Sequence, residues 1–524
     1  MLYCKSWQGR KEGLHSLILL LCGTCLFLGS CTGGNQGRSE DELSAFGVYV
    51  HSIDTLLLEH HLDSLLKADT IVWEGDKTVK GHYAANVSFG EKSLWLSRMG
   101  VESDADSLLE FLRREVSQHG LDSVAFCIPQ ISKDLDIVHQ LSFDSLGVGI
   151  NELLPRLEYC LSKAYVRYTI GQRYGFVRPD KLLNKMDFKK NRNEYARLFD
   201  YEVQAPDYQE SLQKMSSDDR INYLRTSRPN NRLYSILQKQ LGKTTDQETR
   251  HKLAVNMERC RWQIQQPEEN SRMVLVNIPS LQLWAVGGDS VLNMKIVCGA
   301  TTSKTPLLHS EIRYIQVNPE WSIPKTIVDS EVAHHGGDSA YFYKRNYYII
   351  DRSSGDTLHP STVTPEQLKS GRLRVGQKGG PGNSLGRIVF RFPNNFDVYL
   401  HDTSNKPAFN RDRRTLSHGC VRVQKPFELA CFLLPDADDW KKDRLRLSMD
   451  IPPETDRGND YLEEHEEDPR PLRLLTFCEV SPHVPIYIIY YTAYPNPETG
   501  LVESWPDLYG YDKAISHAGR FFLQ

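Results

Sequence analysis

Residues 401–423 read HDTSNKPAFNRDRRTLSHGCVRV, and this stretch concentrates the reactive side chains of the 524-residue chain. It brings His401, His418 and Cys420 together beside several arginines. Such a set can form a metal site, a structural thiol, or a cysteine nucleophile with a histidine base. A thiol becomes a good nucleophile when a base or cation favours its thiolate. Gly419 would also let a substrate carbonyl approach main-chain N–H groups closely, as an oxyanion hole requires.

The residues just before this stretch predict where His401 points. In FDVYLHD, residues 396–402, strand alternation would send the apolar side chains to the core. It would send Asp397, Tyr399 and His401 to the opposite face, so His401 should emerge beside Tyr399 at the strand end. Sixteen residues separate His401 from His418. A loop of that length can fold back and bring the Cys420 thiol to the imidazole.

The patterning of the chain changes near residue 265. Residues 45–265 space their apolar side chains at three- and four-residue intervals and predict a mainly helical scaffold. From residue 266 to 524 short apolar runs alternate with turn signals and predict a mostly β domain. Residues 325–375 interrupt that domain with polar and aromatic residues and are predicted to be an insertion, either a lid or a small packed satellite. Residues 454–470 are interpreted as an acidic surface loop.

Length and charge set broad limits on function. With 40% hydrophobic residues, a chain of this length predicts two or three domains rather than one core. Its net charge of −4 argues against a nucleic-acid partner.

The N-terminus is typical of an export signal. Lys5, Arg10 and Lys11 precede an apolar run, Leu17–Cys31, that is too short to span a membrane comfortably. The end of this run resembles a lipobox, which implies a signal over residues 1–31 with lipidation of Cys31; an ordinary cleaved signal is the alternative. Residues 32–44 are polar and predict a flexible tether. The mature chain would then face the periplasm, anchored by lipid to a membrane, with the outer membrane expected.

Cysteine spacing favours single thiols over a disulfide scaffold. The seven cysteines beyond Cys31 are widely and irregularly spaced, without a C-x-x-C pair. Cys431 lies in PFELACFLLP and is predicted to be buried filling on a helix. Zinc would need a fourth ligand beside His401, His418 and Cys420, and the His334-His335 pair falls in the insertion. We therefore expect neither metal nor cofactor.

The signature His401, spacer, Ser417-His418-Gly419-Cys420, one residue, Arg422 resembles that of L,D-transpeptidases of the YkuD type. Further blocks resemble the long, multi-domain Gram-negative branch: NMERCRW, VNIPSLQLW, TPLLHSEI, VNPEWSIP, GGPGNSLG, FPNNFDVYLHDT and the closing VPIYIIYYTAYPNPETGLVESWPDLYGYD. One departure is that only Gly242 to Val255 stands where that branch carries a small peptidoglycan-binding module. The resemblance implies an α+β multi-domain fold: a mainly helical scaffold, then a mostly β catalytic domain with an inserted capping subdomain.

The resemblance also implies roles for individual residues. Cys420 would be the nucleophile and His401 the base, oriented by the backbone carbonyl of Asp402, with Gly419 and Cys420 in the oxyanion loop. Supporting or substrate-binding positions are Ser417, His418, Arg422, Tyr399, Trp321, Gly382 and Asn383.

The implied reaction is acyl transfer. Cys420 would attack a tetrapeptide stem of peptidoglycan, release D-alanine and pass the thioester to a diaminopimelate-type amine, giving a 3→3 crosslink. Carbapenem-type β-lactams would acylate the same thiol. Alternatives are an L,D-carboxypeptidase or other exported cysteine hydrolase, and a non-catalytic cell-wall-binding lipoprotein.

Overall fold

The computed structural model describes residues 53–70, 73–85, 87–97, 100–143, 149–186, 198–267, 271–288 and 290–522. The predicted signal, Cys31 and the tether lie outside these residues. From residue 52 onward the chain forms one compact unit. Within the described ranges, no helix combines the length and apolarity needed to cross a membrane.

The first half of this unit is helical, as the apolar spacing predicts. Its helices are α1 Thr55–Ala68, α2 Glu74–Tyr83, α3 Phe89–Lys92, α4 Ser103–Gln118, α5 Ile128–Gln140, α6 Ile150–Tyr174, α7 Pro179–Leu183, α8 Tyr208–Met215, α9 Arg220–Thr226, α10 Arg232–Leu241 and α11 Gln247–Arg261. A short hairpin, β1 Leu96–Ser97 and β2 Gly100–Val101, lies between α3 and α4. Helix α6 is mostly buried and packs against α1, α2, α5 and α8, so it forms the centre of the scaffold.

Buried polar groups fix the helical half to the sheet that follows. The Glu258 carboxylate on α11 accepts the N–H groups of Phe176 and Val177, at 2.6 and 2.8 Å, which ties α11 to the end of α6. On the same helix, the Asn256 amide donates to the Thr492 hydroxyl at 2.8 Å. Because one helix holds both contacts, the scaffold and the β region are joined through buried hydrogen bonds.

The second half is built on one large sheet. Its strands are β3 Met273–Asn277, β4 Gln282–Gly287, β5 Ser290–Gly299, β6 Leu308–Val317, β11 Ile388–Arg391, β12 Leu400–His401, β13 Thr415–Ser417, β14 Val421–Val423 and β15 Phe477–Ile489. They pair in the order β13-β5-β14-β12-β11-β6-β15-β3-β4. Since β4 also pairs with β5, the ladder returns on itself and forms a closed, barrel-like sheet. β4 and β5 pair as the predicted hairpin requires, with Gly287 opposite Ser290; Asp289 of the predicted turn lies outside the described residues.

The insertion is an ordered subdomain with its own sheet. Between β6 and β11 the chain forms β7 Trp321–Ser322, β8 Tyr347–Asp351, β9 Thr357–Leu358 and β10 Leu373–Gln377, paired in the order β7-β10-β8-β9. Helices α12 Lys325–Ile327, α13 Ser339–Lys344 and α14 Pro365–Lys369 cover one face. A separate core contains Val332, Phe342, Ile349, Leu368 and Val375. The small strands here escaped prediction because short strands flanked by many polar residues show no clear alternation.

The chain end returns to the helical half. Helices α15 Pro426–Leu433, α16 Asp439–Ser448 and α17 Asp456–Glu464 follow β14, and the hairpin β16 Ala493–Pro495 with β17 Val502–Ser504 precedes α18 Tyr511–Gly519. Phe521 then stacks on Phe176 with ring centroids 4.8 Å apart, inside the scaffold core. The sequence analysis assigned these last residues to the β region alone and did not foresee this return.

Three local predictions were wrong. The predicted acidic loop contains helix α17, which begins where the Thr455 hydroxyl caps the Gly458 N–H at 3.0 Å. Cys431 is only half-buried, because the buried face of α15 carries Leu429, Ala430 and Leu433 instead.

The strand expected over residues 396–401 contains only Leu400 and His401. Asn394 accepts the N–H groups of Phe396 and Val398, at 3.0 and 3.2 Å, and so forms a turn where the strand was expected.

Candidate active site

The pairing of two short strands assembles the site. Strands β12 and β14 run parallel, with Leu400 opposite Val421 and His401 opposite Arg422. Their outward side chains therefore share one face, and Cys420, one residue before β14, lies level with Tyr399. The side chains of Cys420 and His401 thus reach the same face from adjacent strands, while their predicted action as nucleophile and base stays a prediction.

A tight turn holds the nucleophile loop. The Ser417 hydroxyl donates to the Cys420 carbonyl at 2.6 Å and accepts the Gly419 N–H at 3.2 Å. The buried Thr305 hydroxyl donates to the Gly419 carbonyl at 2.7 Å. Gly419 has a φ of +129°, a conformation that disfavours any side chain. Because the Gly419 N–H is engaged, the Cys420 N–H is the turn's available donor; it has no hydrogen-bond partner among the described residues.

The loop between His401 and Ser417 folds back through two anchors. Phe409 packs against Val297 of β5 in a small buried cluster. The Arg414 guanidinium donates to the carbonyls of Leu281 and Ile296, at 3.1 and 3.0 Å. These contacts fix the return path, so the position of the Cys420 loop is set by the sheet.

His401 lies beside Tyr399 at the end of β12, as predicted, and is buried, with 4% of its surface exposed. Its Nδ1 forms a short hydrogen bond with the backbone carbonyl of Asp402. A carbonyl only accepts, so Nδ1 carries the proton and Nε2 is the basic nitrogen. The Asp402 carboxylate in turn accepts the Arg387 N–H at 2.8 Å and pairs with Lys406, which holds the backbone after β12.

Tyr399 is the side chain next to the thiol. Its hydroxyl contacts the half-buried Cys420 and the Trp321 indole, which enters from β7 of the insertion. Its ring lies 5.8 Å from that of His401, and the Arg391 guanidinium lies 4.3 Å from its ring centroid on the other side. The thiol also lies 3.8 Å from the Asp397 carbonyl. No hydrogen bond between His401 and Cys420 is present among the described residues.

Burial keeps both reactive groups neutral. It raises the pKa of the Cys420 thiol to about 11, although Tyr399, Arg391 and Arg422 act in the opposite direction. Burial, with the positive charge of Arg422, lowers the pKa of His401 to about 3. At neutral pH the site therefore holds a thiol and a neutral imidazole. A preformed thiolate–imidazolium pair is absent from this pair of residues.

Arg422 points into the same space. It is half-buried on β14, and its Nε is enclosed without a hydrogen-bond partner among the described residues. Burial lowers the pKa of its guanidinium, although the arginine stays charged at neutral pH. A buried donor without a partner is costly, so this position suits an anionic group supplied from outside the chain.

His418 lies on the outer side of the nucleophile loop. Its Nε2 is 2.9 Å from the Glu331 carboxylate of the insertion, and both side chains are 54% exposed. This histidine therefore joins the loop to the insertion and has no contact with the His401 imidazole among the hydrogen bonds and ring contacts of the described residues.

Gly382 and Asn383 form hydrogen bonds with neighbouring residues of the same chain. The Asn383 amide, almost fully buried, donates to the carbonyls of Pro319 and Lys378 at 3.2 and 2.9 Å and accepts the Leu385 N–H at 2.7 Å. The Gly382 carbonyl accepts from Gln377 at 3.3 Å. Both residues stabilise the joint between the insertion and the large sheet. Their predicted contact with substrate stays a prediction.

The described residues offer no metal site. No group of three or more His, Cys, Asp or Glu side chains lies close enough to hold an ion within these ranges. His335 instead stacks on Tyr341, with ring centroids 3.7 Å apart. The seven described cysteines are free thiols; two of them, Cys127 and Cys160, contact each other in the helical half.

Sequence reasoning missed Arg391 and Glu331. Arg391 directly precedes the FPNNFDVYLHD block, and the position of its charge near the site follows only from the antiparallel pairing of β11 with β12. Glu331 stands in a segment without strand or helix signals of its own. Neither position carries a spacing cue in the sequence.

Comparison with known families agrees with this geometry. The model of the L,D-transpeptidase catalytic domain, YkuD, matches residues 271–439, and that of a scaffold domain matches residues 77–241. A protein of Haemophilus influenzae described as "Putative L,D-transpeptidase" is 28% identical over 370 residues, which cover 68% of this chain and 70% of that protein.

The protonation state of the site predicts its reactivity toward alkylation. If the thiol titrates near 11, the rate of Cys420 modification by iodoacetamide should rise about tenfold per pH unit from pH 6 to 9. Peptide mass mapping would resolve Cys420 from the other thiols, with half-buried Cys431 as the internal reference. A rate plateau at Cys420 below pH 7 would instead reveal a preformed thiolate.

Proposed function

We propose, from the premise that residues 271–439 are a YkuD-type L,D-transpeptidase catalytic domain, that the chain crosslinks peptidoglycan stem peptides through a thioester on Cys420. The observation that carries the proposal is the strand register that brings Cys420, Tyr399, His401 and Arg422 to one face. The hydrogen bond from His401 Nδ1 to the Asp402 carbonyl supports His401 as the base. A metal is not part of the proposal.

The first half-reaction acylates the enzyme. The Cys420 sulfur attacks the carbonyl carbon of the third residue of a tetrapeptide stem, and its proton passes to His401 Nε2. Because both groups are neutral at rest, proton transfer accompanies the attack. The tetrahedral intermediate then breaks its C–N bond, and the departing D-alanine takes the proton from His401. A small approach of thiol and imidazole on substrate binding completes this arrangement.

Two donors support an oxyanion site in this proposal. The Cys420 N–H lies in the turn beside the reacting sulfur, and the Tyr399 hydroxyl contacts that sulfur. Burial raises the pKa of Tyr399, so the phenol keeps its proton and can donate. Donors fixed in place before the reaction stabilise developing charge without reorganisation.

The second half-reaction releases the product. An acceptor amine attacks the thioester carbonyl and gives a proton to His401, and the sulfur leaves and recovers that proton. A diaminopimelate-type side chain as acceptor yields the 3→3 crosslink, whereas water yields an L,D-carboxypeptidase product. The unpartnered Nε of Arg422 is suited to a carboxylate of the donor stem.

The insertion is proposed to act as a lid that limits water. Two contacts support this role: Glu331 with His418, beside the nucleophile, and Trp321 with Tyr399. Its separate core also fits the simpler role of a packed satellite.

We further propose export and lipid anchoring at Cys31 on the periplasmic face of the outer membrane, from the apolar run before Cys31. Carbapenems should acylate Cys420, because a strained lactam carbonyl suits the same attack.

The direct test is replacement of the nucleophile. Cys420→Ala should abolish both the thioester and the crosslinked product, because the proposed thioester forms on the sulfur that this change removes. Intact-protein mass spectrometry with a carbapenem and muropeptide analysis with a disaccharide tetrapeptide would measure the two outcomes. Cys431→Ala is the matched control and should keep both activities. Crosslinking by folded Cys420→Ala would refute the assignment.

The two histidines should differ in effect. His401→Ala should slow acylation by about 10² or more, the usual scale for a positioned base. His418→Ala should change the acylation rate by less than about fivefold, because His418 faces Glu331 and its ion pair is half-exposed. Single-turnover acylation rates, with circular dichroism to check folding, would compare them. Equal losses would mean that the base has been assigned to the wrong ring.

The lid role predicts a change in product partition. Glu331→Gln weakens the contact with His418 and should raise hydrolysis relative to crosslinking by up to about fivefold, the limit for a half-exposed pair. Acylation by a small β-lactam should stay unchanged. Asp356→Asn, an exposed acid on the same subdomain, serves as the control.

A double variant tests whether Glu331 and His418 change the ratio of hydrolysis to crosslinking through their mutual contact. If His418 and Glu331 act together, the double variant Glu331→Gln/His418→Ala should show the same partition as either single variant. Additive changes, or an unchanged ratio in every variant, would leave the insertion as a packed satellite.

A further inference from the structure

A cleft of about 620 Å³ opens on the inserted subdomain, away from the nucleophile. Ile349 of β8 and Val375 of β10 belong to the subdomain core. Alternation therefore places Tyr348 and Arg374 on the opposite face of the same strands, where they line the cleft. The described mechanism uses neither side chain.

The walls of this cleft are tyrosines held in fixed positions. The Tyr348 ring lies across Gly376, where an added Cβ would come within 2.4 Å of the ring, so the glycine makes room for the aromatic face. The Tyr348 hydroxyl donates to Glu320 at 2.9 Å. Tyr343, with 58% of its surface exposed, is joined through its hydroxyl to His359 at 2.9 Å. Rings fixed in this way lose little entropy when a ligand stacks on them.

The remaining lining groups are polar and of mixed charge. Arg374 lies 5.9 Å from the centroid of the Tyr348 ring, and Lys378 also lines the cleft. Glu320 and His359 lie there too. The cations are offset by a carboxylate, so the cleft is not a strong anion trap. It instead offers aromatic faces surrounded by hydrogen-bond donors and acceptors. This combination suits a sugar ring, which has an apolar C–H face and polar hydroxyl groups at its edge.

We propose that this cleft binds the glycan strand of peptidoglycan, as stacked N-acetylated pyranose rings. The inference rests on the proposed function and adds to it a second substrate contact outside the catalytic centre. Its volume falls within the range of about 300–1,000 Å³ that is typical of small-ligand sites.

The cleft and the nucleophile are connected through the small sheet of the insertion. Tyr348 of β8 lies two strands from β7, whose Trp321 contacts Tyr399 at the thiol. Trp321 packs against the subdomain core, whereas Tyr348 lies on the opposite face of the sheet. The cleft is therefore a contact separate from the catalytic face.

Binding is tested with a sugar that carries no peptide. Tetra-N-acetylchitotetraose is titrated into the full chain, followed by saturation-transfer NMR. Wild type should bind, and Tyr343→Ala and Arg374→Ala should each weaken binding by about fivefold to tenfold. Tyr314→Ala is the matched control, an exposed tyrosine of β6 outside the cleft, and should bind as wild type does. Absence of wild-type binding, or equal weakening by Tyr314→Ala, would overturn the proposal.

Kinetics separate this inference from the proposed function. With a disaccharide tetrapeptide as donor, Tyr343→Ala should raise KM by about fivefold to tenfold at similar kcat, whereas KM for the sugar-free tetrapeptide should not rise. Equal effects on both donors would assign the cleft to the stem peptide and overturn the glycan proposal. If wild type neither acylates nor crosslinks with either donor, the transpeptidase function fails, while the chitotetraose titration still decides the cleft.

Discussion

The parallel pairing of β12 with β14 is the constraint on which the site depends. Only Leu400 with Val421 and His401 with Arg422 are in register, yet this sets which side chains share a face. If β14 slipped by one residue against β12, Cys420 and Arg422 would turn to the face opposite Tyr399 and His401. The neighbouring structure prevents such a slip: Thr305 holds the Gly419 carbonyl, Ser417 holds Cys420, and buried Arg414 holds the returning loop to β5.

The same burial that fixes the residues decides their chemistry. Two arginines, Arg391 and Arg422, surround a thiol and an imidazole that burial keeps neutral. Their positive charge favours thiolate but opposes imidazolium, so it does not assemble an ion pair at rest. It does favour negative charge that develops on the substrate. In the proposed acyl transfer, this arrangement would stabilise the transition state rather than a reactive resting thiol.

The sequence predicted which residues share the reactive face but not what surrounds them. Spacing indicated that Cys420 and His401 reach the same face, as the register of β12 and β14 shows, while their catalytic roles stay predictions. It could not show that His401 is buried, because burial depends on tertiary packing; Arg391, for example, reaches the neighbouring Tyr399 ring only through the pairing of β11 with β12. The strand predicted before Leu400 failed for a local reason: Asn394 offers the backbone a side-chain acceptor. Phe521 in the scaffold core could not be foreseen, because no local pattern marks a partner so far along the chain.

The joint of the insertion limits how a lid could move. The chain leaves the large sheet after β6 and returns to β11, next to the strand that carries His401. Asn383 bonds across the two passes, and Gly379 lies so close to the Asn318 carbonyl that a Cβ would approach it within 2.3 Å. These contacts hold the two connecting segments together. Because the subdomain also has its own core, it should move as a rigid body. If the insertion acts as the proposed lid, opening would break the contacts of Glu331 with His418 and of Trp321 with Tyr399, both near the nucleophile. Such a motion would couple access of the substrate to the placement of the phenol beside Cys420.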